Sequence, residues 1–185
     1  MISTSDFKNG MAIEYEGQIF TIVEFQHVKP GKGGAFVRTK IKNVGTGAVL
    51  DKTFRPVEKF RRVRVETKKM QYLYATPDEI VLMDNDNYEQ LSLPPELAGD
   101  SLSYIKDNME VEIQMIDGKP AQLVPPIFVE LEITETQPGV KGDTVSGGSK
   151  PATIETGVEV QVPLFVKTGD VIKIDTRTGG YVERV

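Results

Sequence analysis

The sequence predicts a nearly all-β protein built from three small barrel-sized modules. Short runs of β-favouring residues alternate throughout with Gly, Pro, Asn and Asp. A single stretch carries helical spacing. Turn signals recur closely enough to give several short strands in each segment of about 60 residues, the density expected of small barrels. The boundaries that follow are 1–65, 66–126 and 127–185.

In the first module, Gln18 to Val28 and Ala35 to Val44 read as strands joined by Lys29-Pro30-Gly31-Lys32-Gly33-Gly34, a hairpin with a long tip. On the second of these strands Val37, Thr39 and Ile41 alternate with Arg38, Lys40 and Lys42. A side-chain period of two therefore places the three cations in a row on one face. Thr46-Gly47 marks a turn, and Ala48 to Phe54 and Phe60 to Glu66 complete the module.

The second module runs through strands at Met70 to Ala75 and Glu79 to Met83, a turn at Asp84-Asn85-Asp86-Asn87, and a strand from Tyr88 to Leu93. Leu97, Ala98, Leu102 and Ile105 fall close to helical spacing behind Pro95, which suits a first helical turn, so Glu96 to Ile105 is expected to be a short helix despite Gly99. Met109 to Ile116 and Ala121 to Val124 flank an Asp117-Gly118 turn. The third module opens with Ile127 to Thr136, where Val129, Leu131 and Ile133 alternate with polar positions. Gln137 to Pro151 reads as a long glycine-rich loop, and strands follow at Val158 to Val162, Val171 to Asp175 and Tyr181 to Val185. The last two modules are compatible with five-stranded barrels of OB type, although pattern alone also allows other small barrels.

Composition limits the chemistry. The 185 residues carry 39% hydrophobic and 26% charged side chains, ordinary for a folded soluble protein. With no cysteine there are no disulfides, thiolate metal sites or cysteine nucleophiles, and a single histidine disfavours zinc. No signal-peptide pattern opens the chain and no apolar run could span a bilayer, so a cytoplasmic, non-membrane protein is expected. The formal net charge of -5 conceals an asymmetry: 12 basic and 6 acidic residues lie through Val65, against 10 and 21 in the remainder. Phosphate contact is therefore expected in the first third, where a solvated basic face is the alternative.

Catalytic patterns are lacking. No Ser or Thr follows Lys32, so Gly31-Lys32-Gly33-Gly34 is not a nucleotide-binding loop, and there is no Gly-x-Ser-x-Gly elbow. Asp84 and Asp86 lack the Gly and Glu of a calcium loop and read as a solvated turn; His27 reads as structural or surface. The expectation is a non-enzyme with no catalytic residue, no metal and no bound cofactor. Lys32 remains. Flanking glycines remove bulk and permit positive φ while Pro30 restrains the approach, so an amine stands at a thin apex able to enter a narrow RNA-lined space. A permissive turn whose lysine keeps the edge soluble is the competing reading.

Lys29-Pro30-Gly31-Lys32-Gly33-Gly34-Ala35-Phe36 resembles the N-terminal loop of the elongation factor P family. Lys150 to Ala152, Gly157 to Pro163, Gly169-Asp170 and the closing Tyr181 to Arg184 resemble its third-domain signature. The resemblance covers the whole chain. It implies an SH3-like, KOW-type domain followed by two OB folds in an L-shaped, tRNA-like arrangement. It further implies a factor that binds both ribosomal subunits between the P and E sites and contacts P-site peptidyl-tRNA when consecutive prolines stall synthesis. Lys32 would face the peptidyl-transferase centre, supported by Pro30, Gly31, Gly33 and Gly34. At this position many members carry a covalent modification, so a lysine-modifying enzyme is an implied partner. Lys29, Arg38, Lys40 and Lys42 are candidates to contact tRNA or rRNA. Gly142, Asp143 and Thr144 match a loop element near the E-site codon of the mRNA, and Tyr181 and Arg184 match a pair on the small-subunit and tRNA side, with a structural edge-strand role as their alternative. A third module separates the chain from the two-domain initiation factor five A. A monomer is expected. The alternatives are a paralogue of the family, a protein adaptor, or a general single-strand binder; only 8% aromatic residues and no tryptophan weaken the last.

Overall fold

Along Phe36–Asn43, Val37, Thr39, Ile41 and Asn43 are buried while Arg38 and Lys42 are exposed, the period-two burial that a strand with one apolar face must show. Repetition of that pattern builds the computed structural model, which describes residues 1–139 and 148–185. Gly142, Asp143 and Thr144 lie outside the described residues.

The strands are β1 (Ile2–Ser3), β2 (Ala12–Tyr15), β3 (Gln18–Val28), β4 (Phe36–Asn43), β5 (Val49–Phe54), β6 (Lys59–Val63), β7 (Val65–Ala75) and β8 (Ile80–Met83). They continue with β9 (Gln90–Leu93), β10 (Glu110–Ile116), β11 (Lys119–Val124), β12 (Phe128–Thr136), β13 (Ser149–Ile154), β14 (Glu159–Pro163), β15 (Val171–Asp175) and β16 (Gly180–Arg184). Three sheets result, ordered β1-β6-β2-β3-β4-β5, β11-β10-β7-β8-β9 and β14-β13-β12-β15-β16. The protein is nearly all-β, as its sequence predicts. Among the described residues no helix is long and apolar enough to cross a membrane.

The described chain divides into two compact units. The first comprises Met1–Glu66 with Met115–Lys119. Its core is rich in aromatic rings: Phe7, Phe20, Phe54 and Phe60 are buried with Ile13, Ile22, Val37 and Ile41, and Phe54 meets Phe60 edge-on at 4.8 Å between centroids. The Asp117-Gly118 turn belongs to this unit. The Asp117 N–H donates to the Arg64 carbonyl at 2.8 Å, and its carboxylate accepts from the Arg64 N–H at 3.0 Å and pairs with Arg61 at 2.8 Å. The Arg64 N–H and the Arg61 guanidinium together hold the Asp117 carboxyl below the usual aspartate range.

The second unit comprises Thr67–Gln114 and Pro120–Val185 and holds most of the second sheet and the whole of the third. Its third-sheet core is aliphatic, built on Val129, Leu131, Ile133, Ile154, Val162, Ile172 and Ile174. β14 and β16, at opposite ends of that sheet, lie against each other, so it curls towards a closed barrel. The two sheets of this unit are joined by side chains. Thr156 Oγ1 donates to the Ser103 carbonyl at 2.6 Å, and Lys106 pairs with Glu155 at 3.3 Å. Gly179, at φ +71°, packs so closely on Tyr104 that a Cβ there would lie 2.3 Å from its hydroxyl.

Four expectations need correction. Residues 96–105 do not form an α-helix. Pro95–Leu97 and Gly99–Ser103 are separate 3-10 turns, because Gly99 takes φ +51° and the Ala98 N–H bonds the Pro95 carbonyl, three residues back. The glycine-rich loop is shorter than expected, since Ser149, Lys150 and Pro151 already belong to β13. Asp84 is not solvated: it is only 5% exposed and pairs with Lys68 at 2.6 Å, and that ammonium and the Asp86 N–H hold its carboxyl below the usual range. β1 and β2 were not expected, and β7 begins at Val65, several residues early.

Candidate functional site

The arm that carries Lys32 is assembled by register. β3 pairs antiparallel with β4 from Phe20 opposite Asn43 to Val28 opposite Phe36, with a bulge between Ile22 and Glu24. β2 supports only the first part of β3, ending at Thr21, so the outer half of β3 depends on β4, which β5 backs as far as Val37, and on side chains beneath it. Aromatic rings provide that support. Phe7 meets Phe25 edge-on at 6.1 Å, and Phe25 meets His27 edge-on at 5.7 Å, a continuous path of rings from the core to the base of the tip.

Every residue from Lys29 to Ala35 is exposed, Lys32 included. The glycines are not equivalent. Gly33 takes φ +110°, a conformation that disfavours side chains, and a Cβ there would sit 3.8 Å from the Pro30 ring. Gly31 and Gly34 need no left-handed backbone, and a Cβ at either would meet nothing within 4 Å. Their contribution is thinness. Behind the tip, Arg38, Lys40 and Lys42 point to one face of β4, as the alternation predicts. Lys40 pairs with Glu24 on β3 at 3.8 Å, and Asp51 on β5 lies opposite it on the other side. Arg38 and Lys42 have neutral cross-strand neighbours: Gln26 and Thr53 for the former, Thr21 and Val49 for the latter.

Comparison with known proteins decides the assignment. Family models described as the elongation factor P KOW-like domain, the elongation factor P OB domain and the elongation factor P C-terminal domain match residues 3–60, 65–123 and 129–184. Relatives named elongation factor P include those of Agathobacter rectalis, 56% identical, and Caldanaerobacter subterraneus, 55% identical, each over 185 residues covering 100% of both chains. The chain belongs to the elongation factor P family. It is therefore a translation factor, with a KOW-like domain followed by OB domains, and its relatives are named for that role. Among solved structures, the eukaryotic translation initiation factor 5A from Methanococcus jannaschii is 25% identical with a TM-score of 0.45, covering 66% of this chain and 92% of that one.

Two further candidate residues of this elongation factor P family member, Tyr181 and Arg184, belong to β16 of the third sheet. Tyr181 is partly buried and packs against the aliphatic core. Arg184 lies over the Phe165 ring at 5.4 Å and pairs with Asp170 at 3.6 Å. Sequence reasoning missed three features. Glu24 and Asp51 flank Lys40, which only strand register reveals. Phe25 and His27 buttress the arm, for which the Phe-x-His spacing on one strand face was the available signal. Lys150 takes an inward position on β13, 7% exposed, with its ammonium donating to the Gln137 carbonyl at 2.5 Å. It lines a cleft with Thr136, Gly139, Leu164, Phe165 and Lys167.

Proposed function

We propose that the chain is a non-enzymatic, cytoplasmic translation elongation factor that binds the ribosome between the P and E sites and promotes peptide-bond formation at polyproline stalls. The observation that carries this reading is the hairpin apex: seven consecutive exposed residues, Lys29 to Ala35, present Lys32 at the tip and Lys29 at its base on an arm buttressed by aromatic rings. An arm of that form can reach into a narrow RNA-lined cavity without wedging it open.

Proline is a constrained nucleophile, and a stalled step is slow when the reacting groups are poorly oriented. A factor that holds peptidyl-tRNA in a reactive geometry lowers the orientational part of the barrier, while the ribosome performs the chemistry. Lys32 would be the contact nearest the peptidyl-transferase centre, with a covalent extension installed by a modifying enzyme lengthening its reach. Lys29, Arg38 and Lys42 would hold the P-site tRNA or rRNA backbone. Gly142, Asp143 and Thr144 would approach the E-site codon, and Tyr181 and Arg184 the small-subunit side. The partly buried ring of Tyr181 and the Asp170 pairing of Arg184 favour a structural share in that last role. A monomer suits a groove that must admit the free molecule.

A reconstituted translation system reading a Pro-Pro-Pro reporter tests this. Native protein should relieve the stall, and Lys32→Ala should lose about tenfold or more in rate while its melting temperature stays at the wild-type value, because the side chain is exposed. Relief by Lys32→Ala equal to wild type would defeat the tip model. Failure of the native protein would favour a paralogue with another ribosomal task.

A further inference from the structure

The basic stripe on β4 is interrupted at its centre. Residues paired across strands point to the same side of a sheet, so Glu24 of β3 and Asp51 of β5 share the outer face with Lys40 and sit on either side of it. Lys40 reaches Glu24 at 3.8 Å, with the two side chains 43% and 72% exposed. One ammonium between two carboxylates makes a locally acidic point. The cations two residues away in each direction, Arg38 and Lys42, form no ion pair among the described residues. Four residues of strand separate them, about 13 Å.

A phosphate drawn to this face meets attraction at Arg38 and Lys42. At Lys40 it meets an ammonium already engaged and two carboxylates that repel it. We propose that Glu24 and Asp51 are affinity-limiting residues, which keep Lys40 from serving as a phosphate contact and confine RNA engagement of this face to Arg38 and Lys42. The arrangement suits a factor that must leave after each use, since a third phosphate contact would chiefly slow departure. The inference rests on the reading of this strand as RNA-contacting, and it assigns opposite roles to residues that the charge pattern alone treats as equivalent.

Counterion release supplies the test, because each phosphate neutralised steepens the fall of log affinity with log salt by about one. The full-length chain is titrated against ribosomes carrying P-site tRNA over a range of salt. The expected result is that Arg38→Met and Lys42→Met each flatten the slope by about one whereas Lys40→Met leaves it unchanged. In Glu24→Gln/Asp51→Asn the slope steepens by about one and dissociation slows, and adding Lys40→Met returns it to the wild-type value. Glu16→Gln/Glu58→Gln makes the same charge change elsewhere in the unit and controls for general attraction. The inference is overturned if Lys40→Met alone flattens the wild-type slope, or if the Glu24/Asp51 variant binds no more steeply than that control. If the wild type itself binds without salt dependence, the RNA-contacting reading of the strand fails, and the inference with it. All the substituted positions on this face lie at the surface, so melting temperatures should stay near wild type.

Discussion

Lys32 and Lys150 both stand beside glycine-rich segments, and the protein treats them in opposite ways. Lys32 sits among exposed residues at the end of a hairpin whose buttressing lies below it, in Phe7, Phe25 and His27. Lys150 occupies an inward strand position in series with buried Ala152 and Ile154, and its ammonium is turned back onto the Gln137 carbonyl. Position in the strand period, more than neighbouring glycine, separates an amine available to a partner from one spent within the fold. The glycines divide likewise: those around Lys32 keep the tip slender, whereas Gly139, near Lys150, gives room for a backbone, since a Cβ there would lie 2.5 Å from the Leu164 carbonyl oxygen.

Substitutions can break this contrast. The largest effect on stability is expected from Gly139→Ala, where the added Cβ would lie 2.5 Å from the Leu164 carbonyl oxygen; a loss of about 1–3 kcal/mol is anticipated by chemical denaturation. An unchanged midpoint would show that the approach of Gly139 to Leu164 relaxes at little cost. Lys150→Met follows, with the opposite sign. Replacing a buried ammonium that donates to the Gln137 carbonyl with an apolar chain of similar length should be neutral or stabilising by about 1 kcal/mol, and clear destabilisation would mean that the charge itself ties β13 to Gln137. The smallest effect separates glycines within the tip. Gly33→Ala should cost about 1 kcal/mol through its positive φ, whereas Gly31→Ala should leave the melting curve unmoved. If both behave alike, the tip adapts its backbone instead of imposing one.

Much of this was legible beforehand because burial follows a period of two. β3 and β15 appear at the expected residues, and the outward placement of Arg38, Lys40 and Lys42 follows from the alternation with Val37, Thr39 and Ile41. What the sequence hid has identifiable causes. Ala12–Tyr15 is short, and its partners β3 and β6 differ greatly in sequence distance, so no local pattern announces it. A lysine and a proline inside Ser149–Ile154 disguise a strand as a loop. The spacing of Leu97, Ala98, Leu102 and Ile105 suits an α-helix, yet Gly99 breaks the run into 3-10 turns. Register is the deepest omission: Glu24 and Asp51 are 27 residues apart in the chain and meet across Lys40 only once three strands are aligned.

The junction around Tyr104 bears on how such proteins can be recombined. A chain that reads as three beads invites exchange of the last one as a cassette. Yet Ser103, Tyr104 and Lys106 are fitted to Thr156, Gly179 and Glu155. A donor bead with any side chain in place of Gly179 would collide with the Tyr104 hydroxyl, so a graft cut at the boundary between beads must carry the 3-10 turn and its tyrosine along with it.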